Sequence, residues 1–233
     1  MAVAKPPGRI VVPGRGRAAA EVTIRQDLER QLGRRVLVVH RLDRETSGVL
    51  LFATDEEAHR RLSQAFERHR VVKHYWGLVQ GALLGGGDVA LALLPVRGGL
   101  VRALGPGERG GKPSQTSWRA LERVGAFTIV EFRPATGRLH QLRAHAAAIG
   151  HPLAVDPEYG GMTILRVADL LRDAPEGSAA RRMDEATVIA DRVTLHASSL
   201  KFPHPVTGVS VVVEAPLPED LTRAIEILRL ISP

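Results

Sequence analysis

In His40-Arg41-Leu42-Asp43-Arg44-Glu45-Thr46-Ser47-Gly48 the carboxylate Asp43 stands among three basic side chains, directly ahead of the apolar run Val49-Leu50-Leu51-Phe52-Ala53. A carboxylate crowded by cations beside a core strand has a task or a partner, because each cation favours its ionised form. A second charged group that demands explanation is Arg143. At the helical period Leu139, Leu142, Ala146 and Ile149 share one face, and Arg143 falls about 40° from Leu139 at its edge. It is expected to be partly desolvated, and a desolvated guanidinium needs a carboxylate. Asp43 is the candidate partner, and the pair reads equally as catalytic or as a structural tie.

Three further groups have chemistry. Thr136-Gly137-Arg138 reads as the start of the Arg143 helix, where free N–H groups and the dipole suit phosphate. Tyr75, on a strand in Lys73-His74-Tyr75-Trp76-Gly77, is a core aromatic with its hydroxyl at the rim or a stacking and proton-handling group. Tyr159 is the other tyrosine, in Asp156-Pro157-Glu158-Tyr159-Gly160. His140 and His145 lie five residues apart, about 140° around a helix, which is poor for joint ligation, so no metal is expected.

The 233 residues can bury a sizeable core, and nothing divides them into separate domains. Lysine occurs only at 5, 73, 112 and 201, so 28 of the 32 basic residues are arginine, and the net charge is +7. That balance favours an anionic partner, and arginine suits bidentate recognition of phosphate and bases. The absence of cysteine excludes disulfide scaffolds, thiolate metal sites and cysteine nucleophiles. No apolar run approaches membrane-spanning length and the start does not read as a signal peptide, so a cytoplasmic protein is expected, without a heptad segment and so monomeric.

The elements that must position these groups follow from pattern. Strands are expected near the N-terminus and at Arg9 to Val12, followed by a Gly/Arg loop from Pro13 to Arg17 and a helix over Glu21 to Leu32. The strand Val49 to Ala53 precedes a helix from Asp55 to about His69, with Thr54 and Glu57 as its capping box. A strand follows over Val71 to Gly81, then short strands in mobile glycine-rich loops over 84 to 115. Strands Trp118 to Val124 and Phe127 to Arg133 flank a turn at Gly125, and the Arg143 helix runs from Thr136 to Ile149. Residues 161 to 190 read as an insertion. A strand pair, Val193 to Phe202 and Val209 to Glu214, leads into an amphipathic helix over Glu219 to Leu230. The irregular interleaving favours an α+β domain with a mixed, largely antiparallel sheet.

These residues resemble the RluA-type pseudouridine synthases. The resemblance is carried by His40 to Ala53 and by Lys5-Pro6-Pro7-Gly8, Lys73-His74-Tyr75, Gly111-Lys112 through Thr116, Thr136 to Arg143, Ile149-Gly150-His151-Pro152 and Leu195 to Pro205, in the family's order. It departs at Val155, where a glycine is usual, and at Pro13. It implies one catalytic domain over 1–233 around a central cleft, without a separate N-terminal RNA-binding module, and an RNA isomerase that needs neither cofactor nor metal.

On that resemblance Asp43 would act on the ribose as nucleophile or base. Arg143 would pair with it, and Tyr75 would pack on the uracil and take part in the late proton abstraction. Arg41 would fill the space left by the flipped nucleotide. His40, Arg44, Thr46 and Lys73 would meet RNA, as would Thr136, Gly137, Arg138, His140 and Gln141. Ribosomal or transfer RNA is the expected partner, with no required protein partner. A lapsed RNA-binding protein on this scaffold and a ribose-cleaving hydrolase are the alternatives.

Overall fold

The computed structural model describes residues 1–13, 21–173 and 176–231. Among them are thirteen strands and four α-helices. In chain order they are β1 (Ala2–Lys5), α1 (Ile24–Leu32), β2 (Leu37–Val38), β3 (Ser47–Ala53), α2 (Glu56–Glu67), β4 (Val72–Gln80), β5 (Gly86–Val89), β6 (Leu93–Pro95), β7 (Val101–Ala103) and β8 (Thr116–Val124). Then come β9 (Phe127–Pro134), α3 (Gln141–Ala148), β10 (Leu165–Arg166), β11 (Val188–Ala190), β12 (Leu195–Pro203), β13 (Ser210–Glu214) and α4 (Glu219–Ile231). They form two compact units: Met1–His74 with His196–Pro216, and Tyr75–Leu195 with Leu217–Pro233.

The first unit is built on β3, whose seven residues are all buried. Such a strand needs cover on both faces, hence its unbroken apolar run. It pairs antiparallel with β1, setting Lys5 opposite Gly48, and parallel with β12, setting Ser47 opposite His196. The β12–β13 hairpin pairs Ser199 with Glu214 through Pro203 with Ser210. Helix α2 lays Ala58, Leu62 and Ala65 against Val49, Leu51 and Ala53.

The second unit carries an antiparallel run in which β9 pairs with β4 from Tyr75 onward and with β8, and β8 pairs with β5. One core cluster joins Val79, Val130 and Phe132 to Leu142 and Ala146 of α3. Another joins Leu78, Phe127 and Ile129 to Ala224, Ile225 and Leu228 of α4.

The α+β class and the largely antiparallel pairing agree with the sequence reading, and several local expectations are corrected. Arg9 to Val12 is not a strand: the Arg9 carbonyl accepts from Lys5 Nζ at 2.7 Å instead of joining a ladder. The loop expected over Pro13 to Arg17 lies outside the described residues beyond Pro13. Helix α1 starts at Ile24, where Thr23 and Gln26 form a reciprocal capping box. Helix α2 is capped by Asp55, not Thr54, because the Asp55 carboxylate accepts from Ala58 N–H at 2.7 Å while Glu57 is taken by Arg60 and Arg61. Within residues 161 to 190, Leu165, Val167, Ile189 and Ala190 belong to the α4 core. No helix among the described residues is long and apolar enough to cross a membrane.

Candidate active site

The Asp43 segment is a short loop entering β3, and its backbone is anchored from below. Lys5, only 2% exposed, donates from Nζ to the carbonyls of Pro6 at 2.8 Å, Arg9 at 2.7 Å and Arg44 at 2.7 Å. A buried ammonium satisfied in this way fixes the peptide that follows Asp43. The loop closes on itself where Thr46 N–H donates to the Asp43 carbonyl at 3.2 Å. Gly48 has φ +121, and a Cβ there would stand 2.2 Å from the Ala197 carbonyl oxygen, so a side chain would push β3 and β12 apart. Beside it, buried Ser47 Oγ and His196 Nδ1 are 2.9 Å apart, and His196 Nε2 lies 3.1 Å from the Ala215 carbonyl. With Nε2–H donating to that carbonyl, Nδ1 accepts from Ser47, so the pair clips the β3–β12 junction.

Around this loop Asp43 is part-buried and Arg41 is exposed. Arg44 is exposed and pairs with Glu21 at 2.7 Å. Two residues expected to meet RNA serve the interior. His40 stacks on Phe66 with ring centroids 4.7 Å apart, and its Nε2 accepts from Leu51 N–H at 2.9 Å. Desolvation, helped by the Lys73 cation, lowers its pKa to about 3, so it is neutral at physiological pH. Thr46 is 2% exposed, and its buried hydroxyl has no hydrogen-bond partner among the described residues. Lys73 is part-buried, and desolvation lowers its pKa to about 8.

In the second unit Arg143 is 5% exposed, more buried than its place on the helix edge suggested. Its Nε donates to Asp156 Oδ2 at 2.7 Å and its Nη2 to Asp156 Oδ1 at 2.6 Å, a bidentate fork, with Glu158 Oε2 a further 2.7 Å contact. Asp156 is fully buried. The guanidinium carbon sits 4.7 Å from the centre of the Tyr159 ring. Thus Arg143 has counter-ions within its own unit that sequence reasoning missed, although Asp156-Pro157-Glu158-Tyr159 was already conspicuous. The expected partner, Asp43, belongs to the first unit.

The start of α3 is the clearest correction. The helix begins at Gln141, not Thr136, and the residue before it, His140, is left-handed at φ 47. The Gln141 side chain takes over the turn: its Oε1 accepts from Arg138 N–H at 3.0 Å and Thr136 Oγ1 at 2.7 Å, and its Nε2 donates to Gln115 O and Thr116 Oγ1. The expected cradle of free helical N–H groups is therefore absent at Thr136-Gly137-Arg138, and Gln141, 4% exposed, is structural. Gly137 and Arg138 remain exposed, and Arg138 Nε donates to the Pro113 carbonyl at 3.1 Å. His140 Nδ1 lies 3.0 Å from the Tyr159 hydroxyl, which also accepts from Val101 N–H at 3.0 Å. Buried His145 is held by Ser114 and Thr116, and desolvation lowers its pKa. Tyr75 sits opposite Phe132 on β4, part-buried against the cluster that holds Val130 and Leu142.

A family model described as RNA pseudouridylate synthase matches residues 1–148, a span holding Asp43, Tyr75 and Arg143. The chain is 33% identical to tRNA pseudouridine synthase C of Salmonella typhimurium over 97% of its own length and 85% of the relative's. It is 38% identical to ribosomal large subunit pseudouridine synthase C of Escherichia coli over 82% of its length and 56% of that protein's. The solved structure of human RNA pseudouridylate synthase domain containing 4 superposes with TM-score 0.71 at 23% identity, covering 100% of this chain and 90% of the human one, and so shares its fold.

Proposed function

This chain belongs to the RNA pseudouridylate synthase family and is an RNA pseudouridine synthase, an isomerase; on that premise we propose that it converts specific uridines of ribosomal or transfer RNA, with Asp43 as the essential carboxylate. Isomerisation breaks the bond from ribose to the uracil nitrogen, turns the base, joins it to ribose through a ring carbon, and moves that carbon's proton to solvent while the nitrogen gains one. No electrons are exchanged with any other group.

The reading gives each residue a separate task. Asp43 acts on the ribose as the glycosidic bond breaks. Tyr75 packs on the uracil and serves the late proton abstraction, and Arg143 is the third catalytic residue. Arg41 fills the stack where the target base leaves it. The protein then acts as a monomer in the cytoplasm.

The observation that carries the assignment is the anchoring of the Asp43 loop. A buried lysine, a glycine no side chain could replace and a buried serine–histidine pair all fix the one short segment that carries this acid. Effort of that sort preorganises a reacting group. The test of substrate class is to map pseudouridines in cellular RNA with and without the gene. Loss of one or more sites in ribosomal or transfer RNA is expected, restored by the wild-type gene; an unchanged map contradicts the reading.

A further inference from the structure

The described arginines of the first unit differ in whether a carboxylate neutralises them. Arg9, Arg25, Arg30, Arg44, Arg60 and Arg61 are each ion-paired with a carboxylate. Arg41, Arg68 and Arg70 are exposed and make no side-chain bond or ion pair among the described residues. Arg34 and Arg35, the other two described, are likewise exposed without such a bond, but Arg34 lies toward the opposite end of α2, where it acts on the Met1 ammonium beside Asp55. Twelve helical residues separate those ends by roughly 18 Å.

The fold brings the segments of Arg41, Arg68 and Arg70 together. Helix α2 ends where Arg68 and His69 N–H groups donate to Gln64 and Phe66 carbonyls, and Arg70 N–H donates back to Ala65 O at 2.8 Å. His69 turns the chain with φ 54. His40 stacks on Phe66 of the same terminal turn, and Arg41 is the next residue in the chain. Lys73 is close enough to depress the His40 pKa. Glu67 is the one acidic residue from Phe66 to Lys73. Arg41 is two residues from Asp43.

We propose that Arg68 and Arg70, next to Arg41, form a phosphate-binding surface for the RNA strand adjoining the target uridine. The proposal rests on the reading of this chain as an RNA pseudouridine synthase. Cations left unpaired on one rim, while their neighbours are neutralised, are what sequence-independent contact with a sugar–phosphate backbone requires. The competing role is local. Basic residues beyond a helix C-terminus complement its dipole, and α2 has none in its own last turn. That role shows in stability, whereas phosphate contact shows in the salt dependence of binding.

The test compares Arg68→Gln/Arg70→Gln with Arg60→Gln/Arg61→Gln, which removes the same net charge within α2 at arginines held by Glu57. Binding of a labelled uridine-containing stem-loop RNA is followed by anisotropy across salt concentrations. For the first variant the slope of log K against log salt is expected to fall by about 2, with KM raised about tenfold and kcat little changed. The control is expected to change the slope by less than half as much, and both are expected to melt near the wild type. A slope unchanged from wild type, or no different from the control, overturns the surface, as does a lower melting temperature without a change in slope. Because binding is read separately from turnover, salt-dependent binding by a wild type that makes no pseudouridine contradicts the enzymatic reading and leaves the surface standing.

Discussion

Arg143 and Asp156 set the terms at the scale of single residues. Both are buried, and the carboxylate is fully so. Removing one partner of such a pair strands the other charge, so Asp156→Ala is expected to cost about 3–5 kcal/mol in urea unfolding, with Glu158 too exposed to substitute. A loss below about 1 kcal/mol contradicts that account. The hydrophobic stripe of α3 revealed that Arg143 is desolvated and must meet a carboxylate. It could not name which one, because Asp156 lies beyond the turn at Gly150-His151-Pro152 and no periodicity crosses a turn. His40 gives a pH prediction. Its folded pKa, about 3, lies below the ordinary 6.5, so below about pH 6.5 the unfolded chain binds a proton that the folded chain refuses. Stability from this group is complete above that pH and falls by about 1.4 kcal/mol per unit as pH drops toward the folded pKa. His40→Gln is expected to flatten the dependence between about pH 6.5 and 5 by roughly one proton; an unchanged slope contradicts the assignment.

Among elements, the junction of β3 with β12 decides where the Asp43 loop stands. Gly48→Ala is expected to lower both the melting temperature and the turnover, because the added methyl would meet backbone, which cannot swing aside, at a φ that L-residues avoid. Retention of both would show that the junction has slack. The buried strand was legible from Val49 to Ala53, since only a strand covered on both faces reads as an unbroken apolar run. The parallel neighbour was not, because pairing between segments so far apart in sequence leaves no local pattern. The start of α3 misled for a different reason. Thr136-Gly137 followed by a helical pattern satisfies the usual start signals, but the Gln141 side chain takes up the N–H and hydroxyl donors of the preceding turn and delays the helix to its own position. The cap of α2 shifted by one residue because an aspartate next to a threonine offers the stronger acceptor.

For the whole molecule, fold class and chemistry were legible because they reside in short segments whose residue types are constrained together. The division into two units was not, because the chain passes between them three times, within β4, at the start of β12 and between β13 and α4, and two of those passages interrupt a strand. Net charge of +7 pointed to an anionic partner, but only the pattern of paired and unpaired arginines says where on the first unit that charge is available. The central claim is that Asp43 carries the isomerisation. Its most direct measurement is tritium release from RNA labelled at the uracil carbon that loses its proton, comparing wild type with Asp43→Ala at equal folded concentration. Release by the wild type and none above background by the variant, with RNA binding and melting temperature kept, is the predicted result; undiminished release by Asp43→Ala would contradict the account.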